Sequence, residues 1–443
     1  MDRTKELGTA SVPALLFRFS LPAIVGMMVN AIYNVVDRIF IGQGVGPLGL
    51  AGATVAFPIM LVLMAFGMLV GMGGSALVSI RLGERKEAEA EHILGNAAGL
   101  LVFIALVLTV VGLTFLNPLL KLFGASNAIL PYAFGYTSII LGGSIFQSIG
   151  FGLNNFIRGE GNPKTAMATM LIGAVLNIIL DALFILGLGW GVRGAALATV
   201  ISQAVSAIWV LTYYLGGRSH LKLRIRNLLP RRAIVLPLLA IGMAPFAMQI
   251  ASSVLNGLLN NQLQRYGGDL AVSTMGIIFS VIMFFLMPIF GLNQGTQPIV
   301  GYNYGAKNYA RVRAAMILAI SAATILVATG FALIQVFPRA FVGLFAGSSI
   351  ELLDLASGAI RIYLLGMPLI GFQIVAAGYF QASGKPKEAM LLSLSRQVLL
   401  LIPLIILLPL RFGLTGLWMA PPIADVLSAL LTGTFFLREL RRL

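Results

Sequence analysis

The chain has no cysteine in 443 residues, which rules out a disulfide framework and thiolate metal sites and leaves cysteine usage silent about redox compartment. Charge is scarce as well, with only 10% of residues Asp, Glu, Lys or Arg, against roughly a quarter in soluble domains. The two histidines, His92 and His220, are isolated from one another, so they argue against a metal centre and for solvated surface positions. A phosphate loop is missing too. EGNPKT, from Glu160 to Thr165, has a faint likeness to one but lacks the GxxxxGK[ST] spacing and the preceding strand, and nothing else marks a nucleotide site. Behind Asp2, Arg3, Lys5 and Glu6 there is no short apolar core ending in small residues, so no cleavable signal peptide is expected.

What is present is apolar: 58% of the residues are hydrophobic, and they fall in runs long enough to cross a bilayer. Twelve such segments span about 14–40, 50–80, 93–116, 131–157, 164–188, 192–215, 233–263, 272–300, 313–336, 352–381, 389–410 and 413–437. Lipid requires each backbone polar group to be satisfied within its own segment or in a closed barrel. Barrel strands would alternate over about ten residues, and these runs do not. The expectation is an all-α membrane protein with twelve transmembrane helices.

The formal charge of +15 raises the question of nucleic acid, and its placement excludes it. Most of the 30 Lys and Arg lie before segment 1, after segment 12 or in the even-to-odd connections, as at Arg81, Arg85 and Lys86, from Arg218 to Arg232, and at Lys307, Arg311 and Arg313. Lys121, Arg193, Arg265, Arg339 and Arg411 fall on the other side. This is the positive-inside bias, and it places both termini in the cytoplasm. The basic loop from Arg218 to Arg232 also suits contact with anionic headgroups.

The sequence repeats itself after about 222 residues. LGERK, with Gly83, returns as YGAKN with Gly305; GNPKTAM at Gly161 returns as GKPKEAM at Gly384; WGVRGAA at Trp190 returns as FGLTGLW at Phe412. Six helices per half give both halves the same orientation, so the repeat is parallel, about an axis near the membrane normal. The expected units are 1–217, a basic linker at 218–232, and 233–443. Recurrence of the GxPK turn also marks EGNPKT as a cytoplasmic turn.

Of the fifteen acids most are expected where water can reach them, and three are not: Asp37, Asp181 and Asp425. A carboxylate inside the hydrocarbon costs about 2.5–3.5 kcal/mol even on lenient insertion scales, so a function or a specific partner is expected. In NAIYNVVDRIFIGQ of segment 1, Asn30, Asn34 and Asp37 share one face; Gly173, Asn177 and Asp181 do so in segment 5, and Thr199, Gln203 and Ser206 in segment 6. The alternating directions put Asp37, Asp181, Thr199 and Tyr136 at one depth near the outer end. Two carboxylates together in low dielectric need a proton or a cation such as Na⁺ between them, which makes this a candidate ion-coupling site. Interhelical hydrogen bonding alone is the structural alternative. Arg38 points about 100° away from Asp37 and is expected to snorkel outward. Asp425 has no acidic neighbour and reads as an internal hydrogen-bonding or helix-distorting residue.

LPAIVGMMVNAIYNVVDRIFIGQG, NIILDALFILGLGWGVRGAALAT and the two GxPK turns resemble bacterial multidrug and toxic compound extrusion (MATE) transporters of the MepA and DinF-type branch, over essentially the whole chain. The resemblance implies two six-helix bundles forming a V of the MATE/MOP type, and an inner-membrane antiporter exporting amphipathic, often cationic compounds against H⁺ or Na⁺, with no other cofactor. It carries the cation site over to Asp37, Asn177, Asp181 and Thr199, with Tyr136 nearby, and a bendable proline over to Pro22. NorM-type members place coupling acids on helices 7 and 10; here those helices offer Gln249, Asn256, Asn260 and Gln373. Substrate-lining candidates are Asn30, Asn34, Asn154, Gln249, Asn256, Met283 and Met287, the thioethers suiting a cavity that repacks around varied cations. A monomer in the lipid bilayer is expected. The rival transport reading is a flippase of lipid-linked oligosaccharide, which would need a cationic cavity that segments 1, 2, 7 and 8 do not supply. A remoter one is an intramembrane aspartyl protease, whose YD and GxGD motifs are replaced by NVVD and NIILD; GGD, ending at Asp269, falls in an outer loop.

Overall fold

Each apolar run becomes a helix because a backbone in hydrocarbon must satisfy its own N–H and C=O groups. Glycine, proline and charge clusters at the run ends set the bounds. The computed structural model describes residues 3–346 and 350–442, and among them it contains helices and turns with no strand. α1 spans Val12–Gly44, α2 Pro47–Gly83 and α3 Glu87–Thr114. α4 is bent by 55° between Leu130–Gly142 and Ser144–Gly159. α5 runs over Pro163–Asp181 and α6 over Gly191–Leu215. α7 (Arg232–Gly268) and α8 (Leu270–Gly305) meet at Gly268, where φ is 62°. α9 is Tyr309–Val336, and α10 is bent by 51° between Ile350–Tyr363 and Met367–Ala382.

The last apolar stretch, Pro386–Leu440, has 55 residues. As one rod it would measure about 80 Å, far more than a hydrocarbon core of about 30 Å. Gly413, at φ 55°, divides it into α11 (386–412) and α12 (414–440). The described residues thus form twelve spans at the places the sequence predicts.

The repeat shows in the irregularities. Gly143, at the bend of α4, and Leu365, at the bend of α10, are 222 positions apart. Among the described residues, Arg85 (φ 62°) and Lys307 (φ 59°), also 222 apart, are the non-glycine residues that take the left-handed conformation, each turning the chain out of α2 or α8. We call this end of the molecule, rich in Lys and Arg, the basic end, and the opposite one the far end.

Helices from the two sequence halves touch through small residues, which let backbones approach closely. A Cβ on Gly73 of α2 would lie 2.3 Å from Leu238 O of α7, and one on Gly242 of α7 1.8 Å from Leu69 O. The repeat mate of Gly73 is Gly295 of α8, where a Cβ would lie 2.6 Å from Ser20 Cα of α1. α2 and α8 meet directly at Gly83 and Gly305.

The 218–231 stretch is lashed to α3. Asn96 Oδ1 accepts from Arg231 N at 2.5 Å, Asn96 Nδ2 donates to Asn227 O at 3.0 Å, and Gly95 and Gly99 leave room for the Asn227 and Leu228 backbone. Arg224 pairs with Glu91 at 3.1 Å. Part of the positive charge expected to face headgroups is thereby met by protein.

Two expectations from sequence are corrected. Glu160 and Glu439 are buried, although they sit in or next to basic-end turns where water was expected. Each is enclosed because hydroxyl or ammonium donors converge on it: Tyr213 and Ser219 on Glu160, Tyr379 and Lys385 on Glu439. His92 is half-buried, with Nδ1 shielded from solvent, because its helix packs that face inward; His220 is exposed.

Candidate functional site

The site is assembled by close packing of α1, α4, α5 and α6 near the far end. α1 and α5 run side by side because glycine on α1 meets bulk on α5: a Cβ on Gly26 would lie 2.7 Å from Met170 Sδ, and one on Gly44 2.4 Å from Ile185 Cγ2. Gly173 of α5 leaves the same kind of room for Ser206 of α6, and Gly143 of α4 for Val200 of α6. Asp37 and Asp181 are thereby brought within hydrogen-bonding reach of each other. Asp181 is fully buried and Asp37 half-buried.

Around the pair, Asn177 Nδ2 donates to Thr199 Oγ1 at 3.4 Å. Tyr136, buried, lies within hydrogen-bonding reach of Thr199 and close to both aspartates, and its hydroxyl is 3.9 Å from Met60 Sδ. The structure therefore gathers all five residues that the sequence nominates for a cation site. Arg38 is exposed, as expected, its guanidinium 5.5 Å from the Phe57 ring of α2, though it stays near enough to act on the charge of Asp37.

The chemistry of this cluster lies in what it accepts. Asp37 Oδ1, both carboxylate oxygens of Asp181 and Asn177 Oδ1 are shielded from solvent and receive no N–H or O–H donor among the described residues. Buried acceptors without donors are costly, and two ionised carboxylates in contact are more so. A proton or a small oxygen-seeking cation relieves both costs at once. Immediately after Asp181 the α-helix gives way to a π-helical turn, Ala182–Gly187, a local distortion often found at functional sites.

The nominated substrate-lining residues are more scattered. Asn154 is buried, with Oδ1 unsatisfied; Asn30 and Asn256 are exposed; Gln249, Met283 and Met287 are half-buried on α7 and α8. The side chains of Asn34 and Asp269 lie outside those described. Neither the groove of about 520 Å³ along α9 nor the polar pocket of about 390 Å³ beside Glu160 includes any of the nominated residues. Pro22 is buried inside α1, and the helix runs through it without interruption.

Sequence reasoning missed two inward-turned arginines, Arg158, which is buried, and Arg396, which is half-buried. Arg158 of α4 donates to Asn155 Oδ1 at 2.8 Å and to Gln294 Oε1 of α8. Arg396 of α11 donates to Asp425 Oδ1 of α12, and Gln373 Nε2 donates to Asp425 O at 2.5 Å. Asp425 is therefore the buried acid of an ion pair with a half-buried arginine, beyond the neutral hydrogen bonding expected of it. An arginine at the edge of an apolar run, as Arg158 is, or within one, as Arg396 is, can snorkel on its long stem, and only packing shows that it turns to protein.

Comparison with known proteins agrees with this architecture. The MatE family profile matches residues 22–183 and again 244–407, two segments that begin 222 positions apart. Over 422 residues the chain is 28% identical to the multidrug export protein MepA of Staphylococcus haemolyticus, covering 95% of this chain and 92% of that one. It is 26% identical to MepA of Staphylococcus aureus over 415 residues, covering 94% and 91%. Among solved structures it superposes on a small-molecule complex of the MATE multidrug transporter DinF-BH with a TM-score of 0.90 and 45% identity, covering 97% and 96% of the two chains. A multidrug resistance MATE transporter of the MOP superfamily in an outward-facing conformation gives a TM-score of 0.93 at 25% identity, covering 99% and 98%. One profile matched twice across most of the chain, on a twelve-helix fold shared with these transporters, shows that the chain belongs to the MatE family.

Proposed function

We propose that the protein is a cation-coupled antiporter that exports amphipathic, often cationic compounds, with H⁺ or Na⁺ entering through the Asp37–Asp181 site. The observation that carries this reading is the donor-poor cluster of buried acceptors on four helices. In the proposed cycle, the incoming ion neutralises the carboxyl pair and stabilises one arrangement of the helices, drug stabilises the other, and the ion gradient biases release of drug. The names of the similar proteins, multidrug export protein MepA and MATE multidrug transporter DinF-BH, support drug as the class of substrate.

The two halves act as 1–217 and 233–443, joined by the 218–232 linker, in a monomer of the bacterial inner membrane with both termini cytoplasmic. Asn30, Asn34, Asn154, Gln249, Asn256, Met283 and Met287 supply the polar and thioether lining for substrate. Pro22 lacks a backbone N–H and so lowers the cost of bending α1. Spin-label distances along α1 that stay fixed between low and high pH would count against that hinge.

The test is ethidium efflux from proteoliposomes under an imposed pH gradient or an imposed Na⁺ gradient. Wild type is expected to export under at least one of them, which identifies the ion, and Asp37→Asn and Asp181→Asn are expected to fail under both. Export by both variants at the wild-type rate would make the pair structural.

A further inference from the structure

We infer that the C-terminal half contains a second cation site that the chain fills with its own guanidinium: Arg396 of α11 on the carboxylate of Asp425. The inference extends the reading of Asp37 and Asp181 as the coupling site.

Each half has a bent helix, at equivalent positions of the repeat, and a π-helical stretch, on α5 and α11 at positions that are not equivalent. In the first half α4 bends at Gly143 and α5 becomes π-helical directly after Asp181. In the second, α10 bends between Tyr363 and Met367, and α11 is π-helical over Ser395–Leu401, a stretch that includes Arg396. A π turn widens the helix and re-aims its side chains, and here it presents the guanidinium to α12.

Asp425 has the burial of Asp181: 1% of its surface is exposed, in the middle of an apolar span. The difference lies in what meets the carboxylate. Asp181 faces another acid and unsatisfied oxygens, whereas Asp425 Oδ1 accepts from Arg396 Nε and its backbone oxygen from Gln373. Among the described residues, Tyr363 of α10 is a further titratable group close to both charges. Space is reserved for the acid at the bend of α10, since a Cβ on Gly366 would lie 2.5 Å from Asp425 Oδ2. Next to Arg396, Gln397 donates to Ser252 Oγ of α7 at 3.0 Å, which ties α11 down.

In the first half Arg38 stands near Asp37 without an ion pair to it among the described residues, so the cation that bonds the acids is left to solution, while the second half carries one on a side chain that cannot leave. An arginine keeps its proton at any physiological pH, so the second site is deaf to both H⁺ and Na⁺ gradients. Only one half responds to the ion, and a single exchangeable site sets the stoichiometry.

The experiment measures cation binding to purified full-length protein, using ²²Na⁺ uptake and, separately, proton uptake read by a pH dye in weak buffer. Asp37→Asn removes the first site and is expected to lose saturable binding. Adding Arg396→Gln should restore one cation per protein, and adding Asp425→Asn as well should abolish it again. Arg396→Lys, whose ammonium stays tethered, should behave like its parent. Absence of restored binding in a monodisperse Asp37→Asn/Arg396→Gln protein would overturn the inference. So would recovery of folded Arg396→Gln protein only in company with Asp425→Asn, whatever the Na⁺ concentration or pH, because a free cation would then be unable to replace the guanidinium. Binding that persists in Asp37→Asn alone counts against the first-half reading, and the increment on adding Arg396→Gln still decides the second site.

Discussion

Gly83 and Gly305, equivalent positions of the repeat, pack against each other's helices in reciprocal fashion: a Cβ on Gly83 would lie 2.0 Å from Tyr302 O, and a Cβ on Gly305 2.1 Å from Ile80 O. Tyr302 is the repeat equivalent of Ile80, so the contact is symmetric about the axis that relates the halves. With the α2–α7 and α1–α8 crossings it closes the basic end by backbone contact. Gly83→Val and Gly305→Val should each force α2 and α8 apart. Overpacking of this kind costs about 1–3 kcal/mol, enough to shift a two-state equilibrium roughly 5- to 150-fold. Because the chain has no cysteine, spin labels at Glu84→Cys and Ala306→Cys report this end alone. Their separation is expected to lengthen in both valine variants.

Thr199 and Asn177 should tune the site without being indispensable to it. Each contributes one neutral oxygen, and a hydrogen bond to a charged partner is worth roughly 1.5–3 kcal/mol. Thr199→Ala and Asn177→Ala are therefore expected to raise the half-saturating concentration of the coupling ion about tenfold or more, with maximal efflux retained. Efflux titrated against the driving ion checks this.

Arg158 and Gln294 join α4 to α8 across the two sequence halves, and Gln294 Nε2 also lies 3.7 Å from Met27 Sδ of α1. Arg158→Met and Gln294→Leu should each destabilise the arrangement closed at the basic end, and the double variant should fall short of the sum by roughly 1–3 kcal/mol, as expected for two groups sharing one bond. Label distances at the basic end, taken through the double-mutant cycle, give the coupling.

Lys385 and Glu439 form an ion pair at the basic end of the second half, with Tyr379 donating to the same carboxylate oxygen at 3.1 Å. Side-chain exposure is 24% and 8%, so Glu439 is the buried partner. Lys385→Met leaves that carboxylate without its cation and should cost on the order of 3 kcal/mol. Lys385→Met/Glu439→Gln should recover much of the loss, because no charge is then stranded. Thermal unfolding in detergent is expected to rank the proteins wild type, double variant, single variant, from most to least stable.

Much of the candidate site was legible because its signal is local. Asp37, Asn177 and Asp181 stand out as acids and amides in apolar runs, and helical periodicity together with alternating direction places them, Thr199 and Tyr136 at one depth. Arg158, Arg396, Glu160 and Glu439 were not legible. Arg158, Glu160 and Glu439 lie at the ends of apolar runs, where a charged side chain is free to reach either water or protein; Arg396 lies within the 389–410 run, and the pattern does not say which way its long side chain turns.

The sequence by itself determined the twelve spans, their alternating direction, the 222-residue repeat and the level of the acid pair, since hydrocarbon thickness and helical period leave little choice about these. Tertiary structure alone decided which polar groups have partners: that Asp37 and Asp181 share a donor-poor pocket, that Asp425 is bound to Arg396, and that glycines 83 and 305 close the basic end. Those outcomes depend on which helix faces meet and how closely, and the meeting is set by side-chain volumes on several helices at once, which no single segment encodes.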